Sequence, residues 1–308
     1  MRRIFLLTII IIFIAMGAYG FGVIQNCFKP TEAISPCKVN IMVRTARWKE
    51  LEKEINKTLK RFNGTAGVVI NDLDLNWEIA INEDKVIPSA SMVKIPIMMA
   101  YYCASRNGLV DLNARIRLTD KLKAPGSGTL KNAASGTDLS VEEMMILMIT
   151  QSDNTAANIL IDYLGMDKLN YYFSAMGLKN TNLSRKMMDF KSRKAGVENY
   201  TTARDIAFLL YKLYRNKFLD KAMSQRCLKI LACQKVNDRI PKKLPEKVTV
   251  AHKTGLERGL CHDAGIVYTD KGNFLICVLV NHNDKTAAAA KSLISRISLL
   301  TYLYHNGE

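Results

Sequence analysis

Acidic residues are in short supply: 28 Asp and Glu face 44 Lys and Arg, a formal charge of +16 over 308 residues. Proline (7) and glycine (17) are too sparse for a collagen-like or Pro/Gly-rich chain, and 48% apolar content excludes a chain too polar to fold. The seven cysteines are scattered and odd in number, which excludes the disulfide framework of a small secreted module. There is no tandem repeat and no low-complexity tract. No G-x-S-x-G occurs, and the four histidines (252, 262, 282, 305) all fall late in the chain, which argues against a Ser-His-Asp hydrolase. Neither His252 nor His262 has a second His at ligand spacing, so both read as structural or substrate-edge residues, with no metal site. The basic residues form no stripe interleaved with aromatics, so nucleic acid is not an expected partner.

What is present begins with an apolar run. Arg2 and Arg3 precede residues 4–24, a weakly interrupted apolar stretch with small residues at Ala15, Gly17, Ala18 and Gly20. It reads as a signal peptide or as an uncleaved signal anchor, since 21 positions at about 1.5 Å per residue just span a bilayer core of about 30 Å. Either reading puts the working part outside the cytoplasmic membrane, exported or held there by residues 4–24. Residues 25–42, with Pro30, Pro36 and Cys37, read as a tether.

Residues 43–62 place Trp48, Leu51, Ile55, Leu59 and Phe62 at helical spacing, and Asn63-Gly64 ends the pattern. Two β-rich runs, 66–70 and 77–81, flank a polar turn and predict a hairpin. From about 90 to 230 the pattern is helical almost throughout, including the stretch from Val141 to Leu164. Strand patterns return at 248–254, 264–268 and 274–281, before a last helix over 286–304. Early and late strands need each other to bury their faces. The prediction is an α+β fold: a sheet lobe (43–88 and 232–308) with an antiparallel sheet between flanking helices, and an all-helical lobe (89–231). A crevice between the lobes is a natural place for a site.

Three short motifs carry the chemistry. Ser91-Met92-Val93-Lys94 opens the helical stretch, and residues three apart share a helix face, so a lysine amine can reach the serine hydroxyl. A serine needs such a neighbour to take its proton, and a helix-start N–H is free to hold an oxyanion. Ser152-Asp153-Asn154 lies 61 positions on, and Lys253-Thr254-Gly255 lies 162 positions after Ser91, at the end of a predicted strand. Taken singly, each has a bland reading: a surface Ser and Lys, a helix cap, a charged edge strand.

Together and in this order they resemble the signature of class A β-lactamases and penicillin-binding serine hydrolases. The resemblance covers about residues 43–308 and implies the β-lactamase/transpeptidase-like fold with a five-stranded sheet. It also implies roles. Ser91 is the acylated nucleophile, Lys94 acts in its deprotonation, and Ser152 relays the proton to the leaving nitrogen. Asn154 binds the substrate amide. Lys253, Thr254 and Gly255 face the substrate carboxylate, and the Ser91 and Leu256 N–H groups form the oxyanion hole. Arg239 matches a carboxylate-anchoring arginine of some class A enzymes, with His262 where another would fall. No metal or cofactor is implied.

The departure lies in the loop that carries a deacylating Glu in class A enzymes. Aligning Leu183-Ser184-Arg185 with its start and Thr201-Thr202 with its exit puts Met187 at the Glu position and Lys191 where an Asn usually sits. Asp189 and Glu198 are the candidate substitutes. The expected activity is therefore that of an exported, monomeric serine hydrolase opening the β-lactam ring. The alternatives are a slow-turnover penicillin-binding protein acting on peptidoglycan-like D-amino-acid peptides and an acylated, membrane-tethered β-lactam sensor.

Overall fold

A computed structural model describes residues 41–307. The expected signal or anchor (1–24) and nearly all of the tether lie outside the described residues. Helix α1 (Ile41–Lys60) buries Trp48, Leu51 and Ile55 along one stripe, and Lys57 and Lys60 in its last turn suit the negative end of the helix dipole. Strands β1 (Gly64–Asp72) and β2 (Trp77–Ile81) form the expected hairpin, Val68 opposite Ile81. Strands β7 (Thr249–Glu257), β8 (Leu260–Tyr268) and β9 (Phe274–His282) complete a five-stranded antiparallel sheet in the order β2-β1-β9-β8-β7.

Both faces of this sheet are covered. Along β9, Ile276, Val278 and Val280 join a core with α1 and the last helix, α9 (Ala288–Asn306). The alternate residues Leu275, Cys277 and Leu279 join a second core with the helices of the insert. The period-2 alternation of the strand thus feeds two cores. At roughly 1.5–3 kcal/mol for each fully buried aliphatic side chain, both faces contribute strongly to stability. The Trp48 and Tyr304 rings meet at 5.1 Å and join α1 to α9.

The insert carries α2 (Lys94–Arg106), α3 (Val141–Thr150), α4 (Asn154–Leu164), α5 (Met166–Met176), α6 (Phe190–Lys194), α7 (Ala203–Tyr214) and α8 (Lys221–Ala232). It departs from the sequence pattern in two ways. Residues 107–140 hold only 3-10 turns and a small two-stranded ribbon, β4 (Arg115–Arg117) with β5 (Asp138–Ser140), and β3 (Ile87–Pro88) pairs with β6 (Tyr200–Thr201). The stretch 141–164 is also two helices. Ser152 takes φ +56°, a left-handed value that no helix interior accepts, and Asp153 caps α4 by accepting from the Ala156 N–H.

Candidate active site

Ser91 sits in a 3-10 turn (Ala90–Val93) that runs directly into α2. The turn is held from two sides. The Ser89 N–H donates to the Asn199 carbonyl at 2.7 Å. His262 Nε2 donates to the Pro88 carbonyl at 3.0 Å, while its Nδ1 accepts the Val280 N–H at 3.0 Å. These two bonds fix one neutral tautomer, and burial pushes the imidazole down to about 4. The preceding residue, Ala90, is held at φ +44°, a strained value for a residue with a Cβ and the sort of outlier that clusters at reactive turns.

The three motifs converge on one hydroxyl. Ser152 Oγ lies 3.0 Å from Lys253 Nζ and 3.4 Å from Lys94 Nζ. Lys94 Nζ donates to the Ser152 carbonyl at 2.7 Å and to Asn154 Oδ1 at 2.8 Å. Lys253 Nζ donates to the Thr254 carbonyl at 2.7 Å. Both lysines are fully buried. Burial pushes Lys94 down to about 7, against the pull of Asp153. Burial and the neighbouring Lys94 push Lys253 well below the usual lysine range. A neutral amine keeps two N–H donors and gains a lone pair; the two short Lys94 bonds use both donors and leave the lone pair for a proton. Lys94 lies three residues after Ser91 on a continuous helical path, which sets the two side chains on one face.

β7 closes the other side. A Cβ on Gly255 would stand 3.2 Å from the His262 ring and 3.4 Å from Met92, so glycine there lets the strand approach the nucleophile turn. Leu256 follows, opposite Cys261 on β8, with its side chain 53% exposed. Asn154 is set by the loop before it: its Nδ2 donates to the Pro125 carbonyl at 3.0 Å, and its N–H to the Ser127 carbonyl at 3.0 Å. Gly128 takes φ +103°, and any side chain there would strike Asp153. Arg239 is buried beneath the strand, with Nε 3.2 Å from Cys261 Sγ and Nη1 3.0 Å from Asp238 Oδ1. His252 bonds Asp263 Oδ1 at 2.8 Å and Asn237 Oδ1 at 3.1 Å, a structural use.

The two carboxylates expected as deacylating bases are occupied elsewhere. Asp189 caps α6, accepting from the Ser192 N–H at 3.0 Å and the Ser192 hydroxyl at 2.6 Å, and these bonds hold its carboxyl low. Glu198 is buried against Arg185 at 2.7 Å and Arg193 at 3.1 Å. Its carboxylate oxygens are thus committed to two guanidiniums. Met187 has both backbone groups bonded to the Asn158 side chain, at 2.8 and 3.0 Å. Asn158 lies one helical turn beyond Asn154 on α4, so Met187 is held along the Asn154 face. The Met188 sulfur lies 3.1 Å, and Asn154 Nδ2 2.7 Å, from the point where a Gly126 side chain would begin. A thioether, that of Met188, thus stands beside Asn154, next to the position where a proton acceptor was sought. The sequence reading missed Asn199, Arg193 and Glu257; the many loop bonds of Asn199 have no signature in a single sequence.

A serine at a helix start, a desolvated lysine one turn on, a second serine bridging two amines and a sheet edge beside them define a serine acyl-transfer enzyme of the two-lobed, class A-like kind. The model of the β-lactamase enzyme family matches residues 50–305, and the chain belongs to that family. The chain is 26% identical to β-lactamase VEB-1 of Pseudomonas aeruginosa over 281 residues, 86% of this chain and 93% of that one. It is similar in structure to a β-lactamase from Sphaerobacter thermophilus DSM 20745 (TM-score 0.77, 30% identity, 85% of this chain and 98% of that one). It is also similar to PBP-A (TM-score 0.76, 32% identity, 84% and 97%), which is known too as a Leu-to-Glu mutant in an acyl-enzyme complex with penicillin G.

Proposed function

We propose that this serine hydrolase opens the β-lactam ring through an acyl-enzyme at Ser91. The observation that carries the proposal is the convergence of Lys94 and Lys253 on Ser152 Oγ. Neutral Lys94 takes the Ser91 proton, and Oγ bonds to the lactam carbonyl carbon. The Ser91 and Leu256 N–H groups hold the oxyanion. The C–N bond breaks, and the ring nitrogen receives a proton through Ser152. Lys253, Thr254 and Arg239 supply positive and polar groups for the substrate carboxylate. Water then cleaves the ester.

A second reading, slow turnover as in a penicillin-binding protein, is favoured by the commitment of Asp189 and Glu198 to other partners and by the Met188 thioether beside Asn154. In this reading the same site also accepts D-amino-acid peptides. Intact-mass spectrometry after mixing with benzylpenicillin decides. An adduct of the full penicillin mass that clears within seconds is the lactamase result; one that persists for hours is the second reading. Ser91→Ala should give no adduct, and label surviving in it would overturn the assignment of the nucleophile. We place the enzyme outside the cytoplasmic membrane, as a monomer delivered or tethered by residues 4–24. Fractionation with N-terminal sequencing of the mature chain tests the compartment, and sedimentation tests the monomer.

A further inference from the structure

Glu257 ends β7 one residue after Leu256, and its carboxylate is largely buried. Its charged partners belong to the loop of residues 183–202. Arg193 Nη1 lies 2.7 Å from Oε1, and Arg185 Nη2 lies 3.3 Å from Oε2. The same two arginines hold Glu198, so two guanidiniums and two carboxylates form one network with no net charge. Its two positive members and Glu198 move with the loop, and Glu257 moves with the strand. Pulling loop from strand would leave Glu257 half-buried and unpaired, a costly state for a carboxylate. The network therefore ties the wall carrying Met187 and Met188 to the strand end that offers the Leu256 N–H. The exposed Leu256 side chain lies at that junction.

We propose that Glu257 is a positioning residue that closes the 183–202 loop onto β7 and so limits the size of acyl substituent the cleft accepts. The size limit rests on the acyl-enzyme reading above; the closure does not. Glu257→Gln keeps the shape and removes the charge. Amide hydrogen exchange at residues 185–199 should quicken at least fivefold in this variant, while exchange along β1 and β9 stays as in the parent. Acylation rates are then compared for benzylpenicillin and for a cephalosporin with a bulky branched acyl side chain. The ratio should shift at least fivefold toward the bulky substrate, because the wall no longer holds its place. Arg193→Ala should shift both readouts the same way, and Arg193→Lys should restore part of the shift. Unchanged exchange in both Glu257→Gln and Arg193→Ala overturns the closure. Quickened exchange with both acylation rates reduced equally overturns the size limit. If the parent protein takes up neither compound, the acyl-enzyme reading fails, and the exchange result alone still decides the closure.

Discussion

Burial strips the Lys94 ammonium of solvent, and its two short bonds go to a carbonyl and an amide oxygen. That is why its amine is half-deprotonated near pH 7. Below that pH the ammonium has no lone pair, and above it the amine can take the Ser91 proton. Acylation by benzylpenicillin should therefore rise with pH and level off above about 7, as followed by stopped-flow. A flat profile across that range would exclude Lys94 as the base, and Lys94→Ala should slow acylation by about 10²–10⁴-fold. Met187 offers the complementary test. Asn158 holds its backbone, so Met187→Glu places a carboxylate on the Asn154 face without moving the loop. The acyl-enzyme should clear at least tenfold faster by intact mass; unchanged clearance would show that the loop sets another limit. These residues were legible early because each motif is short and local. That Asp189 and Glu198 have other employment was not legible, because their partners are chosen by the folded loop.

At the scale of elements, the loop of residues 183–202 is tied at both ends by Asn199. Its Oδ1 accepts from the Ser184 and Arg185 N–H groups at 2.7 and 2.9 Å, and its carbonyl accepts from Ser89 at 2.7 Å. Arg185 and Glu198 cross-link the same ends inside the protein. Glu198→Ala would leave Arg185 short of a buried partner and should lower unfolding free energy by about 3–5 kcal/mol, read from urea midpoints. The sheet was readable from short β-rich apolar runs, because both its faces are covered. The division of 141–164 was not, because apolar residues run on either side of Ser152. The left-handed backbone at that serine and the Asp153 cap part the helices, and periodicity is blind to such local dihedrals. His262 on β8 and His305 on α9 are both pushed down by burial to about 4 from an ordinary 6.5. The unfolded chain binds protons at these sites first, so stability should fall as pH drops from about 6.5 toward about 4. A melting temperature constant over that interval would contradict the buried neutral imidazoles.

At the scale of the whole molecule, the cleft chemistry is assembled from widely separated segments: the 3-10 turn near Ser91, the break near Ser152 and the strand near Lys253. Their convergence needs both the sheet and the helices packed on it. The two cores make this possible, one behind the sheet with α1 and α9, one in front with the insert. The sequence suggested the arrangement through its order of strands, helices and strands. The loop-to-strand ionic network could not be foreseen, since charges at 185, 193, 198 and 257 are unremarkable until folded together.

The contact between α1 and α9 has one more consequence. Arg47 Nη2 donates to the Tyr304 carbonyl at 2.9 Å, so the two ends of the described chain lie side by side. A short glycine-rich linker could join them, and fresh termini could be cut at the surface turn beside Lys271, outside all three motifs. Such a circularly rearranged polypeptide should still fold and still capture penicillin.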